Sequence, residues 1–210
     1  VEQSNDRTQA ILSWLRSPTL DLRVEQDDLY RYLILNGQQQ SRMHRQQPAV
    51  PVYPHLQILL EWLTTKPWNR LLQLGLGGGD LSRAVAARWP ERQVVTVEQE
   101  SLVIDTFLQY FQPEPHPNQT IICAEAMAYT NIAIAQQQQF DLIVVDIYPW
   151  PEHWQRLIQQ LLQLRSGPGW FGMNLPGDPP MHWSQFWQSM PVTLTPYRVP
   201  GYRNQLWLGQ

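Results

Sequence analysis

Leu71-Leu72-Gln73-Leu74-Gly75-Leu76-Gly77-Gly78-Gly79-Asp80 is the stretch on which the reading of this chain turns. Arg70–Leu74 has the apolar density of a buried strand, and a helix follows over Asp80–Trp89. The glycines therefore sit on a strand-to-helix turn, the context that makes a glycine motif informative. Gly75, Gly77 and Gly79 allow a sharp turn and a close approach of backbone to a ligand. A turn whose glycines serve packing alone is the competing reading. The next strand, Gln93–Glu98, ends on a carboxylate, and Glu98 follows Gly79 by 19 residues. That spacing puts an acid beside the diol of a ribose whose other atoms lie over the glycine turn. It serves a dinucleotide and an adenosyl ligand equally.

Downstream of this core, short apolar runs alternate with amphipathic stretches. Leu102–Tyr110 reads as a helix capped by Ser101, Gln119–Ala124 and Phe140–Asp146 as strands, and Glu152–Leu164 as a helix. Trp170–Asn174 is a further strand and Trp183–Ser189 a short helix. Val192–Pro196 and Asn204–Leu208 form a closing antiparallel hairpin at the sheet edge. The pattern predicts an α/β fold: a mostly parallel seven-stranded sheet with helices on both faces. Upstream, Pro54 opens a helix that runs to Thr64. Pro48, Pro51 and Pro54 mark a hinge, so residues 1–50 form a small N-terminal unit and residues 51–210 the α/β domain. Within the first unit, Asn5–Arg16 has helical spacing at Ile11, Leu12 and Leu15. Residues 20–43 read as two or three antiparallel strands turning at Asn36-Gly37.

Bulk properties narrow the function. The chain has 210 residues, 43% hydrophobic and only 16% charged, with a net charge of −3. There is no basic field to hold a nucleic-acid backbone, so a nucleic-acid partner is not expected. No apolar run is long enough to span a bilayer, and Val1-Glu2-Gln3-Ser4 does not read as a signal peptide, so no membrane partner and a cytoplasmic location are expected. The single cysteine, Cys123, excludes an intrachain disulfide framework and reads as a buried, inert thiol in a strand. No pair of histidines stands at ligand spacing with a carboxylate, and no metal is expected.

Taken in order, Gly77-Gly78-Gly79-Asp80, Val97-Glu98, Ala124-Glu125-Ala126 and Phe140-Asp141-Leu142-Ile143-Val144-Val145-Asp146 resemble the spermidine synthase (polyamine aminopropyltransferase) family. The resemblance covers roughly residues 20–175 and implies the Rossmann-like class I S-adenosylmethionine-dependent methyltransferase fold, with the hairpin unit as a small N-terminal β domain. It implies that Gly75, Gly77, Gly78 and Gly79 approach the ribose and the amino-acid or aminopropyl end of the cosubstrate, and that Asp80 holds the cosubstrate amine. Glu98 takes the ribose hydroxyls, and Glu125 with Ala126 stands beside the adenine, Glu125 replacing the family's usual Asp. Gln40 resembles the glutamine of the family's hairpin motif, and Tyr53 its substrate-side tyrosine. Asp146 matches the first Asp of the family's Asp-Ser-Ser-Asp-Pro, which steers and deprotonates the attacking amine. Here Asp146-Ile147-Tyr148-Pro149 follows, so Pro149 replaces the second Asp, and Asp146 acts alone or with Tyr148. Read without the resemblance, Asp80 serves equally as a helix cap and Asp146 as a strand-end cap.

The function expected is a transferase similar to spermidine synthase. Its cosubstrate is S-adenosylmethionine or decarboxylated S-adenosylmethionine, and an aminopropyl or methyl group moves to a small-molecule acceptor. A homodimer is expected with it. The alternative is a non-catalytic relative that keeps the nucleoside pocket, or only the fold, as a binding or scaffold module. A nicotinamide dehydrogenase is disfavoured, because Gly77-Gly78-Gly79 followed by Asp80 suits an adenosyl methionine better. Trp150, Trp154 and Trp183 are either core residues or the lining of an apolar acceptor pocket.

Overall fold

The computed structural model describes residues 10–112, 116–175, 177 and 182–210. Four antiparallel strands come first: β1 (Ala10–Arg16), β2 (Asp21–Gln26), β3 (Tyr30–Leu35) and β4 (Gln38–His44), paired in that order. The Asn36-Gly37 turn has positive φ at both residues, 49° and 77°, the geometry that a two-residue hairpin matching strand twist requires. The Asn36 carboxamide oxygen also accepts from the Asp21 N–H at 2.8 Å, tying the turn to the start of β2. A Cβ added at Gly37 meets nothing within 4 Å. Gly37→Ala should therefore cost only the backbone term, about 1–2 kcal/mol, as read by urea unfolding.

The helix expected over Asn5–Arg16 is corrected. Ala10–Arg16 is β1, running antiparallel to β2 from Ala10 opposite Gln26 to Arg16 opposite Asp21, and residues 5–9 lie outside the described residues. Ile11, Leu12 and Leu15 have helical spacing but no surface to receive a helix face, and all three are exposed. Pairing along the free edge of β2 satisfies the backbone instead, and tertiary context overrides the local period.

The remaining elements are α1 (Pro54–Thr64), β5 (Arg70–Leu74), α2 (Asp80–Arg88), β6 (Gln93–Glu98), α3 (Ser101–Thr106), β7 (Gln119–Cys123), α4 (Ala126–Ala135), β8 (Phe140–Val145), α5 (Trp154–Gln163), β9 (Arg165–Leu175), α6 (Trp183–Gln188), β10 (Leu194–Arg198) and β11 (Gln205–Gly209). A π-helical turn, Phe107–Phe111, continues α3. The sequence reading has no counterpart to α4. Its apolar residues lie all around the helix, so no stripe announces it.

The second sheet has seven strands in the order β10-β11-β9-β8-β5-β6-β7. Strands β7, β6, β5, β8 and β9 are parallel, and the β10–β11 hairpin adds antiparallel to β9. Along β8, Leu142 and Val144 pack with Leu56, Leu59 and Leu63 of α1 and with Leu81 and Val85 of α2. Ile143 and Val145 pack on the other face with Leu157, Ile158 and Leu161 of α5. A strand covered on both faces is mostly apolar on both, which is why these strands do not alternate; a buried polar residue such as Gln73 needs its own hydrogen bonds. The small sheet joins the larger one through a third cluster, where Leu22, Val24 and Leu33 meet Leu76, Val103, Phe107 and Phe111. It ends at His44 and α1 begins at Pro54, on either side of the boundary drawn at residues 50 and 51.

β5 lies between β6 and β8, so the chain leaves it toward both sides of the sheet. At such a reversal the turns beyond the strand ends diverge and leave a crevice for a ligand. Here those turns are Gly75–Gly79 and the segment starting at Asp146.

Candidate functional site

The turn after β5 is shaped first by packing. A Cβ at Gly75 (φ 90°) would stand 2.1 Å from the Asp146 carbonyl oxygen, and one at Gly79 (φ 72°) would stand 2.0 Å from the Phe107 ring. No side chain fits either place, and the positive φ alone disfavours one. The Gly78 N–H donates to Ser41 Oγ at 2.8 Å, pinning β4 to the turn. Gln73 adds a second tie: its amide donates to the Gly75 carbonyl at 2.7 Å and accepts from Ser82 Oγ at 3.1 Å. Gly77 is the looser position, where an added Cβ would meet only Ser41 Oγ, at 3.5 Å. Gly75 and Gly77 are half-exposed while Leu76, Gly78 and Gly79 are buried. The loop thus turns bare backbone outward at two glycines.

Glu98 stands beside that bare edge. One carboxylate oxygen accepts from the Leu76 N–H and the other from the Glu100 N–H, both at 3.0 Å. A carboxylate has about four acceptor positions, so roughly two remain for hydroxyls of a ligand. Glu125 is exposed and caps α4, accepting from the Ala128 N–H at 2.9 Å, and Ala126 is the first residue of that helix. Cys123, expected to be buried, is exposed. It closes β7, the last strand on that side of the sheet, where only one edge is covered by a neighbour.

Asp80 opens α2 and is buried, with Arg83 one turn on, also buried, bonded to one of its oxygens. Arg83 further donates to the Gly78 carbonyl and, at 2.8 Å through Nε, to the Pro48 carbonyl. Burial pushes the Asp80 carboxyl above its ordinary range, opposed by Arg83, by a hydrogen bond from Ser41 and by His55. Asp146 follows β8, its backbone N–H bonded to the Leu74 carbonyl at 2.9 Å. Its carboxylate accepts from Asn174 Nδ2 at 2.8 Å, and Asn174 in turn accepts from Asn204 Nδ2 at 3.0 Å.

Tyr53 and His55, at the start of α1, complete the wall. Their rings stack with centroids 5.6 Å apart, and the Tyr53 hydroxyl accepts from Gln39 Nε2 at 2.5 Å. The His55 Nδ1 is buried without a hydrogen-bond partner. Burial lowers the His55 pKa, against the pull of Asp146 and then Asp80. Two more of the residues singled out from the sequence, Gln40 and Tyr148, are exposed. Gln40 is the extra, exposed residue where the β3–β4 register shifts, and Gln39 makes the contact with Tyr53. Tyr148 is 65% exposed. Trp150, Trp154 and Trp183 pack on one another with centroids 5.5 and 4.9 Å apart, and Trp154 and Trp183 belong to the core.

Ser41, Arg83, His55 and Asn174 were not singled out from the sequence. Only Arg83 carried a local signal, an arginine three residues after an aspartate on a helix. The others reach the crevice from distant segments. Among the described residues, no three His, Cys, Asp or Glu side chains gather as a metal site, and no helix is long and apolar enough to cross a membrane.

This architecture, a parallel sheet reversing at β5 with a glycine turn and an acid after β6, is the methyltransferase-type α/β fold preceded by a small antiparallel sheet. No protein-family model matches the chain. It is 29% identical over 123 residues to a polyamine aminopropyltransferase of Vibrio vulnificus, a match covering 56% of this chain and 41% of that protein. The matched part is thus about two fifths of the relative's length. A probable spermidine synthase from Corynebacterium glutamicum superposes with a TM-score of 0.76 at 15% identity, over 96% of this chain and 80% of that one. Human methyltransferase-like protein 13, solved in complex with SAH, superposes with a TM-score of 0.63 at 20% identity, over 75% and 82% of the two chains. The chain is thus similar to spermidine synthases in fold, and diverges from them in sequence.

Proposed function

We propose that the chain is a spermidine synthase-like transferase that binds an S-adenosyl sulfonium over the β5 turn and moves a methyl or aminopropyl group to a small acceptor beside Asp146. The observation that carries this is the close approach of Gly75 to the Asp146 backbone, which supports a reading in which the glycine turn and the Asp146 segment border one crevice. The bound sulfonium supplies an electrophilic carbon with a neutral thioether as leaving group. The protein's part is placement: Glu98 fixes the ribose, and Asn174 orients Asp146 toward the N–H or O–H of the acceptor. Glu125 and Ala126 would stand beside the adenine.

Calorimetry with methylthioadenosine and S-adenosylhomocysteine tests the nucleoside site. Glu98→Ala should weaken both by about 1.5–3 kcal/mol through loss of charge-assisted bonds to the ribose. Unchanged affinity would remove Glu98 from the site. A binding module without turnover is the second reading, favoured by one observation: Asp80 is already bonded to Arg83. Binding of the nucleosides with no transfer to any amine or hydroxyl acceptor would select it. A homodimer and a cytoplasmic location belong to the main reading. The dimer is supported by the apolar residues that β1 leaves exposed, Ile11, Leu12, Trp14 and Leu15, and sedimentation tests it.

A further inference from the structure

The buried ion pair beneath the glycine turn bears on which cosubstrate the crevice accepts. Asp80 and Arg83 have side chains only 6% exposed each, and they touch directly. Ser41, bonded to the Gly78 N–H, also bonds to Asp80, so the pair is locked to the turn from the side of β4. The guanidinium is held in turn by the Gly78 and Pro48 carbonyls. A group that settles next to Gly77–Gly79 therefore lies over a fixed, almost fully buried plus–minus pair of zero net charge.

The two forms of the cosubstrate differ at this end alone. S-adenosylmethionine carries an ammonium and a carboxylate on one carbon, whereas the decarboxylated form carries a lone ammonium. A lone ammonium gives up its hydration and finds a carboxylate whose charge is already neutralised, a loss that low-dielectric surroundings make large. An ammonium with its own carboxylate meets opposite charges at both ends of the pair. We propose that the Asp80–Arg83 pair selects S-adenosylmethionine over its decarboxylated form, which makes methyl the group transferred. This rests on the nucleoside site proposed above. In the step itself, the acceptor's lone pair forms a bond to the methyl carbon and the carbon–sulfur bond breaks. Its electron pair stays on sulfur, leaving the neutral thioether S-adenosylhomocysteine, and the acceptor's surplus proton passes to Asp146.

Binding alone decides the matter, with no acceptor needed. Calorimetry on the unmodified protein should give S-adenosylmethionine at least tenfold tighter than the decarboxylated form. Methylthioadenosine, which lacks this end altogether, reports the nucleoside site by itself. If it binds while the decarboxylated form equals or exceeds S-adenosylmethionine, the selection is overturned and the nucleoside site stands. If none of the three binds, the nucleoside reading fails and the selection with it. Asp80→Asn combined with Arg83→Gln removes both charges and leaves a neutral amide at each position. In that variant the ratio of S-adenosylmethionine to decarboxylated affinity should collapse to less than threefold, any loss common to both ligands at the glycine turn cancelling in the ratio. A tenfold preference surviving there places its origin elsewhere and overturns the proposal.

Discussion

Asp146→Asn should lower the rate of group transfer by roughly 10²–10⁴ while leaving nucleoside affinity nearly unchanged. Asparagine keeps the shape and one acceptor oxygen, so the bond from Asn174, at 2.8 Å in the unmodified protein, survives. On the proposed function, what it loses is the charge that would draw a cationic acceptor and the site that would take its proton. Steady-state kinetics with separately measured methylthioadenosine binding checks both halves. Full activity in this variant would remove Asp146 from the chemistry. The same segment predicts poor or absent turnover of putrescine. One carboxylate holds one ammonium group, Pro149 offers no second charge, and Trp150 adds an apolar surface where a long polyamine needs further anchoring. Rapid aminopropyl transfer to putrescine would show that the acceptor's far end is held by other residues.

Arg83→Met should destabilise the fold by about 3–5 kcal/mol, because it leaves the Asp80 charge buried without its counterion. The Gly78 and Pro48 carbonyls lose their donor as well. Combining it with Asp80→Leu should recover most of that loss, since an apolar pair of similar volume carries no desolvation cost. Urea unfolding of the single and double variants gives the coupling directly. Additive losses would mean that the two side chains are separately solvated and that the pair does not form in solution.

Elements with strong local pattern were legible in advance. β5, β6 and β8 are largely apolar because both faces of the sheet are covered, with Gln73 and Thr96 the buried polar exceptions. The Asn36-Gly37 turn and the Pro54 helix start rest on backbone chemistry that belongs to those residues themselves. The spacing from the glycine turn to Glu98 follows from one strand–helix–strand unit, so it too could be read along the chain.

The sequence by itself therefore determined the α/β class, the glycine turn and the acid after β6, all of which depend on residues close together in the chain. Tertiary structure alone decided the fate of Ala10–Arg16, whose spacing favours a helix and which pairs instead along the edge of β2. It decided that Gln39 bonds to Tyr53 and that Gln40 falls on a bulge. It decided too that Asp80 is bonded to Arg83 and that an unpartnered His55 nitrogen lies buried among carboxylates. The physical reason is common to all of these. A side chain's charge state and partners are set by what burial brings against it from β4, α1 and β9, and contacts between segments so far apart leave no period or spacing to read.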